Sequence, residues 1–229
     1  VTLVNELKPQ RLAVFGYAHV PWFKRHQKLL DESSLPAPAA RLDQAMAAHE
    51  TLISLGYEPI GLDHYAVPAD SLAVAARTRM LRRNFQGYTT DDASALIGIG
   101  TSAIGQLPQG YVQNASDTAN YSRAIIAGRF ATVRGIALSI GDRIRSRIIE
   151  ELMCHLDCDI GELLDQYNGI QESFGHELEA LRPFTADGFV RIDGNRIVVE
   201  ESGRPYLRLI ASTFDAYLHN PHVRHSVAV

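Results

Sequence analysis

Apolar and polar positions change their spacing several times along this chain, and each change marks an element. Arg11-Leu12-Ala13-Val14-Phe15 is a short apolar run that gives way to Gly16-Tyr17-Ala18-His19-Val20-Pro21, as a strand does when it leaves into a turn. Over residues 41–55 the apolar side chains Leu42, Ala45, Met46, Leu52 and Ile53 recur at helical spacing, and Gly56 stands where a C-terminal stop belongs. Pro59-Ile60-Gly61-Leu62 reads as a second strand emerging at Asp63-His64-Tyr65, and residues 95–99 as a third, buried one. Strand, excursion with helix, strand is a βαβ unit. It predicts parallel strands with functional groups at their carboxyl ends, here Tyr17-Ala18-His19, Asp63-His64-Tyr65 and Gly100 to Ile104.

Beyond Gln106 the pattern changes. Residues 111–128 are polar and then helical, with Gly128 as a stop, and Ser139 is placed to cap a helix from 140 to about 155 with Asp142 in its first turn. Two further helices are predicted near 160–167 and 171–181. Two apolar stretches, 188–192 and 196–200, flank Asp193-Gly194-Asn195 and form a strong hairpin signal. A last helix is predicted over 203–218. The expected fold class is therefore α/β: the closing βα units of an incomplete barrel over 1–107, then a mostly helical, winged-helix-like domain with a two-stranded wing over 108–229.

Composition narrows the partners. A net charge of −4 argues against a dedicated nucleic-acid binder, which carries a basic surplus. No run reaches the ~18 apolar residues of a membrane span, so a soluble, cytoplasmic protein is expected. The opening VTLVNELKP has Val1 in place of a start methionine and reads as the tail of a helix already under way, as in a fragment or processed chain. The two cysteines, Cys154 and Cys158, stand i and i+4 with His155 alongside. A four-ligand metal site draws a second pair from elsewhere, so buried free thiols in a reducing compartment are the reading, with no metal assigned.

The chemistry concentrates between Arg82 and Gly105. A polar-aromatic loop, Asn84-Phe85-Gln86-Gly87-Tyr88-Thr89-Thr90, precedes an apolar run with glycines at 98 and 100. Amide, aromatic face and accessible backbone suit a flat, polar-edged ligand such as an adenosyl group; a packed strand entering a turn has the same pattern. Gly98-x-Gly100-x-x-Ala103 formally fits a dinucleotide fingerprint with Asp117 downstream, but Asp117 does not end a strand. Asp63-His64 is a possible acid–base pair, although adjacent strand residues point to opposite faces. Arg82 and Arg83 are candidates for substrate carboxylates or for a solvated surface. Arg143, Arg145 and Arg147 do not share one helix face, which weakens a nucleic-acid role. His219, His222 and His225 have helical ligand spacing in a tail. No Ser/His/Asp signature, nucleophile elbow or P-loop occurs.

RLAVFGYAHVPW at 11–22, LGYEPIGLDHYAVPADSLAVA at 55–75, RNFQGYTT at 83–90, LIGIGTSAI at 96–104 and RGIALSIGDRIRSRIIEELMC at 134–154 together resemble the oxygen-independent coproporphyrinogen III oxidases, over about the C-terminal half of that family's length. RNFQGYTT is the most specific stretch, and it sets the chain apart from the related haem chaperones. The resemblance implies a radical enzyme, monomeric at full length. Its [4Fe-4S] cluster cleaves S-adenosylmethionine to a 5′-deoxyadenosyl radical, which takes hydrogen from a propionate of coproporphyrinogen III. Two propionates become vinyls, giving protoporphyrinogen IX, and two adenosylmethionine molecules are bound. The adenosylmethionine contacts it assigns to this chain are Ala18, Phe85, Gln86 and Ile104, with no catalytic residue. The family's C-x₃-C-x₂-C cluster motif has no counterpart in these residues, so the resemblance also implies that this polypeptide alone is inactive. A haem-carrier relative and a winged-helix nucleic-acid module are the alternatives.

Overall fold

Tight turns between three-residue strands, rather than long parallel strands, shape the start of this chain. The computed structural model describes residues 1–167 and 172–218. His219, His222 and His225 lie outside them. The chain forms two compact units, one of Val1–Thr90 with Arg145–Val229 and one of Asp91–Ile144. The strands in chain order are β1 Arg11–Ala13, β2 Glu58–Ile60, β3 His64–Ala66, β4 Arg82–Asn84 and β5 Gly87–Thr89. They continue with β6 Ile104–Leu107, β7 Gly110–Asn114, β8 Thr132–Ala137, β9 Asp157–Asp159, β10 Val190–Asp193 and β11 Arg196–Val199.

In the first unit β1, β3 and β2 form one sheet in that order. Every strand pair among the described residues is antiparallel, which corrects the expected parallel βαβ pairing. The cause is Gly61. Its φ of +57° turns the chain back directly after β2, so Asp63-His64-Tyr65 is the start of β3 and not the outlet of β2. β3 then inserts between β1 and β2, with Leu12 opposite Tyr65 and Ile60 opposite His64.

Two apolar clusters hold this arrangement. Ile60, Ala66, Leu72, Ala73, Ala75, Leu81, Tyr88 and Cys154 make one. Leu52, Tyr57 and Tyr65, flanked by Leu12, Val14 and Val67, make the other. The helix Pro38–Ser54 buries only Leu52, and it ends as expected before Gly56, whose φ is +87°. Helix Ser71–Arg77 is capped by Asp70, which accepts from Leu72 N at 2.8 Å and is itself held by Arg11 Nε.

The C-terminal part of the first unit contains the expected hairpin, β10 with β11, joined by β9 into a sheet of order β10-β11-β9. β9 was not foreseen. Leu156, with φ +59°, ends the helix Ile140–His155, so Cys158 lies on β9 opposite Ile197 and shares no helix face with Cys154. The predicted last helix is cut in two: a 3₁₀ segment, Glu201–Tyr206, contains Pro205, and helix Leu207–Ser212 follows.

The second unit is the sheet β6-β7-β8, with helix Thr118–Ile126 between β7 and β8. The domain boundary expected at residue 107 falls inside the β6–β7 hairpin, where Leu107 pairs with Gly110. Residues 95–99 are not the buried strand expected: only Leu96 pairs, as a single bridge to Gln106, and Ile97 and Ile99 are 76% and 87% exposed. Ser139 and Asp142 cap the helix Ile140–His155 reciprocally, Ser139 Oγ accepting from Asp142 N at 3.1 Å and Asp142 Oδ2 from Ser139 N at 2.9 Å. Among the described residues no helix is long and apolar enough to cross a membrane.

Candidate functional site

Phe85 and Gln86 are the two-residue tip of the β4–β5 hairpin, which Asn84 and Gly87 close as its last pair. Asn84 Oδ1 accepts from Gln86 N at 2.8 Å, a side chain imitating a backbone turn, and Gly87 takes φ +127°. Both tip side chains are exposed, Phe85 by half. The base of the hairpin is buried. Tyr88 Oη accepts from Leu62 N and donates to Met153 O, each at 3.0 Å, which ties the hairpin to the Gly61 turn and to the helix Ile140–His155. A Cβ on Gly61 would lie 2.1 Å from the Tyr88 hydroxyl, so glycine is required there for space as well as for its φ.

His64 supports the same hairpin. Its ring meets Tyr88 edge-on at 5.1 Å, and a Cβ on Gly87 would lie 3.3 Å from its Nε2. Asp63 Oδ1 bonds His64 Nδ1 at 2.7 Å. The pair meets because Asp63 belongs to the turn before β3, so the opposite-face objection does not apply. The Asp63 carboxyl lies below its usual range: burial pushes it up, but the His64 hydrogen bond and the charges of His64, Arg208 and Arg83 outweigh that.

Ala18 lies on the segment that leaves β1 beside this pair, since Val14 N donates to Asp63 O at 2.7 Å. The segment is pinned by Gln27, 8% exposed, whose Nε2 donates to Ala18 O at 3.1 Å while its Oε1 accepts from Val20 N at 2.6 Å. Ala18 therefore presents its small side chain while its carbonyl is engaged. Two buried nitrogens around the segment have no hydrogen-bond partner, His19 Nδ1 and Arg41 Nε. Such orphaned groups fit a site built to receive a polar ligand.

Ile104 belongs to the second unit, where it opens β6 opposite Gln113. The close approach expected at the glycines is made by the chain itself: a Cβ on Gly98 would lie 2.8 Å from the Ile104 carbonyl carbon and oxygen. Asn114 Nδ2 donates to Gly98 O and Gly100 O at 3.1 Å each, and Gly100 takes φ +103°. The run leads into β6 and not into a helix, so the dinucleotide pattern has no structural counterpart.

The remaining candidates are accounted for. Arg82 faces Glu150 at 3.8 Å, and Arg83 lies over the Tyr88 ring at 5.7 Å. Arg145 pairs with Glu177 and Glu172, and Arg147 with Glu150 and Glu151. Cys154 and Cys158 are buried, and burial pushes both thiols up to about 12. Protonated, enclosed thiols do not fit an iron–sulfur cluster, which needs thiolates. Sequence reasoning passed over Gln27 and Arg41: Gln27 reaches back seven and nine residues across an irregular segment with no period, and Arg41 meets Gly16 from a separate helix.

No protein-family profile matches the chain. It is 47% identical over 223 residues to the oxygen-independent coproporphyrinogen III oxidase of Bradyrhizobium diazoefficiens, covering 97% of this chain and 50% of that protein. It is 43% identical to the anaerobic coproporphyrinogen III oxidase 1 of Cereibacter sphaeroides, covering 98% of this chain and 50% of that protein. The solved structure of coproporphyrinogen III oxidase (HemN) from Escherichia coli, described as a radical SAM enzyme, matches with TM-score 0.87 and 38% identity, covering 95% of this chain and 50% of that one. These likenesses set the chain beside a protein of the radical SAM class. The chain belongs to the oxygen-independent coproporphyrinogen III oxidase family, and it spans about half the length of these relatives.

Proposed function

We propose that this chain forms part of the adenosylmethionine-binding wall of an enzyme that oxidatively decarboxylates two propionates of coproporphyrinogen III to vinyls. The observation that carries the reading is the β4–β5 tip: an aromatic face and an amide, Phe85 and Gln86, presented to solvent from a base locked by Asn84, His64 and Tyr88. A rigid base with an exposed tip positions groups for a ligand without spending binding energy on ordering them. Phe85 offers its ring to pack on a cofactor and Gln86 its amide to hydrogen-bond it. Ala18 leaves room for an adenosyl group beside a pinned backbone, and Ile104, in the second unit, is the further adenosylmethionine contact that the family resemblance implies. When bound, two adenosylmethionine molecules and a [4Fe-4S] cluster supply the one-electron chemistry; the protein orients them and keeps water out.

We further propose that the cluster's cysteine ligands lie outside these 229 residues, because Cys154 and Cys158 are buried thiols. Iron quantitation after anaerobic reconstitution is expected to find no stoichiometric cluster on this chain. In the full-length enzyme, Gln86→Ala and Phe85→Ala are each expected to lower kcat/KM for coproporphyrinogen by about 10²-fold with little loss of stability. Wild-type turnover in both variants would sink the reading.

A further inference from the structure

The segment Gly16–His19 is bordered by a cation that the fold does not neutralise. Arg41 stands in the first turns of the helix Pro38–Ser54, and its guanidinium lies against Gly16, on which a Cβ would be 3.7 Å from both Nε and Nη2. Arg41 Nε is buried without a partner, and none of the ion pairs among the described residues includes Arg41. Several arginines of the first unit have carboxylate partners, Arg11 with Asp70, Arg77 with Glu58 and Arg204 with Glu201, whereas Arg41 combines the lack of an ion pair with a buried, unpartnered nitrogen. The helix adds to the positive potential, since Ala37 at its N-cap supplies no capping side chain. A guanidinium cannot shed its proton, so leaving one partly desolvated and unpaired is unfavourable unless an anion completes it.

His19 leaves a second polar atom on the same segment without a partner, here an acceptor, since its other nitrogen donates to a carboxylate. Its Nε2 is 3.0 Å from Glu32 Oε1, which orients the ring, and its Nδ1 is buried with no partner. Gln27 meanwhile holds the backbone between them in place through Ala18 O and Val20 N. Two orphaned nitrogens thus border one pinned four-residue segment.

From this geometry we infer that Arg41 forms a carboxylate-binding subsite at the Gly16–His19 segment. A planar two-donor fork matches the two oxygens of a carboxylate. The inference rests on the oxidase reading for the identity of the acid, which is either the methionyl carboxylate of adenosylmethionine or a propionate of the tetrapyrrole. Arg41 binds and orients; it takes no part in bond breaking.

The test compares each acid with a counterpart lacking its carboxylate: S-adenosylmethionine with its decarboxylated form, and coproporphyrin III with its tetra-amide. Calorimetric titration is run on this chain as wild type, Arg41→Gln and Arg41→Lys, with circular dichroism to verify folding. One acid is expected to bind wild type at least about tenfold more tightly than its counterpart. Arg41→Gln should erase that ratio and Arg41→Lys keep part of it. The pair that shows the ratio identifies the source of the carboxylate. Equal affinity within both pairs, no binding of any of the four, or a ratio that persists in Arg41→Gln would overturn the subsite; the wild-type comparison decides even if a variant fails to fold. The oxidase reading stands or falls separately, on turnover of the Phe85 and Gln86 variants in the full-length enzyme.

Discussion

The hairpin at 82–89 and the run at 95–100 reverse the usual relation between hydrophobicity and order. The hairpin tip is polar and exposed, yet its turn is specified by Asn84 and Gly87 and its base is anchored by Tyr88 through two hydrogen bonds. The run is the more apolar of the two, yet Ile97 and Ile99 face solvent and only Leu96 makes a bridge. Apolar character makes burial favourable but does not supply a partner strand; a strand forms where backbone donors and acceptors are matched. The hairpin has that matching within eight residues, whereas the run is held by Asn114 gripping the carbonyls of Gly98 and Gly100.

Variants at the two places should separate widely. Gly61→Ala, beneath the hairpin, forces a side chain into the left-handed region and into the Tyr88 ring, and should cost about 3 kcal/mol or more in urea unfolding. Tyr88→Phe removes an acceptor for Leu62 N and a donor to Met153 O, and should cost about 1–3 kcal/mol. The same hydroxyl gives a pH signature. Burial, the largest influence, pushes it up from 10.0 to about 12, with the Leu62 hydrogen bond and Arg83 opposing, so its proton is held more tightly in the folded state. That share of stability is complete below pH 10 and is lost as pH rises towards 12, and the alkaline loss in Tyr88→Phe should be smaller. A wild-type-like alkaline profile in the variant would show that the Tyr88 proton is not held more tightly in the folded state.

Asn84→Ala should cost about 0.5–1 kcal/mol, seen as faster hydrogen exchange at the Gln86 amide. Ile97→Ser and Ile99→Ser should change the stability of this chain by no more than about 0.5 kcal/mol, since neither side chain is removed from water. A loss of 2 kcal/mol at either isoleucine would break the contrast.

Features readable along the chain were those whose cause lies within a few residues. The Ser139–Asp142 cap, the stop at Gly56 and the hairpin around Asp193-Gly194-Asn195 all depend on neighbours at fixed offsets. The proposed site was legible only as a polar-aromatic loop, and RNFQGYTT also carried the family resemblance. The sheet order was not legible. A three-residue strand such as β3 has too few side chains to reveal a period, and only the Gly61 turn decides that it runs back between β1 and β2.

What the sequence determined alone is thus the local grammar: where helices start and stop, where hairpins close, and which loop carries an amide beside an aromatic ring. The tertiary structure decided which groups lack partners and which are tied together. Tyr88 reaches Leu62 and Met153 across 26 and 65 residues of chain, and Arg41 lies against Gly16 while its Nε stays unpaired. Hydrogen-bond satisfaction is a property of three-dimensional neighbours, and residue spacing along a chain constrains those neighbours only over a helical turn or a hairpin.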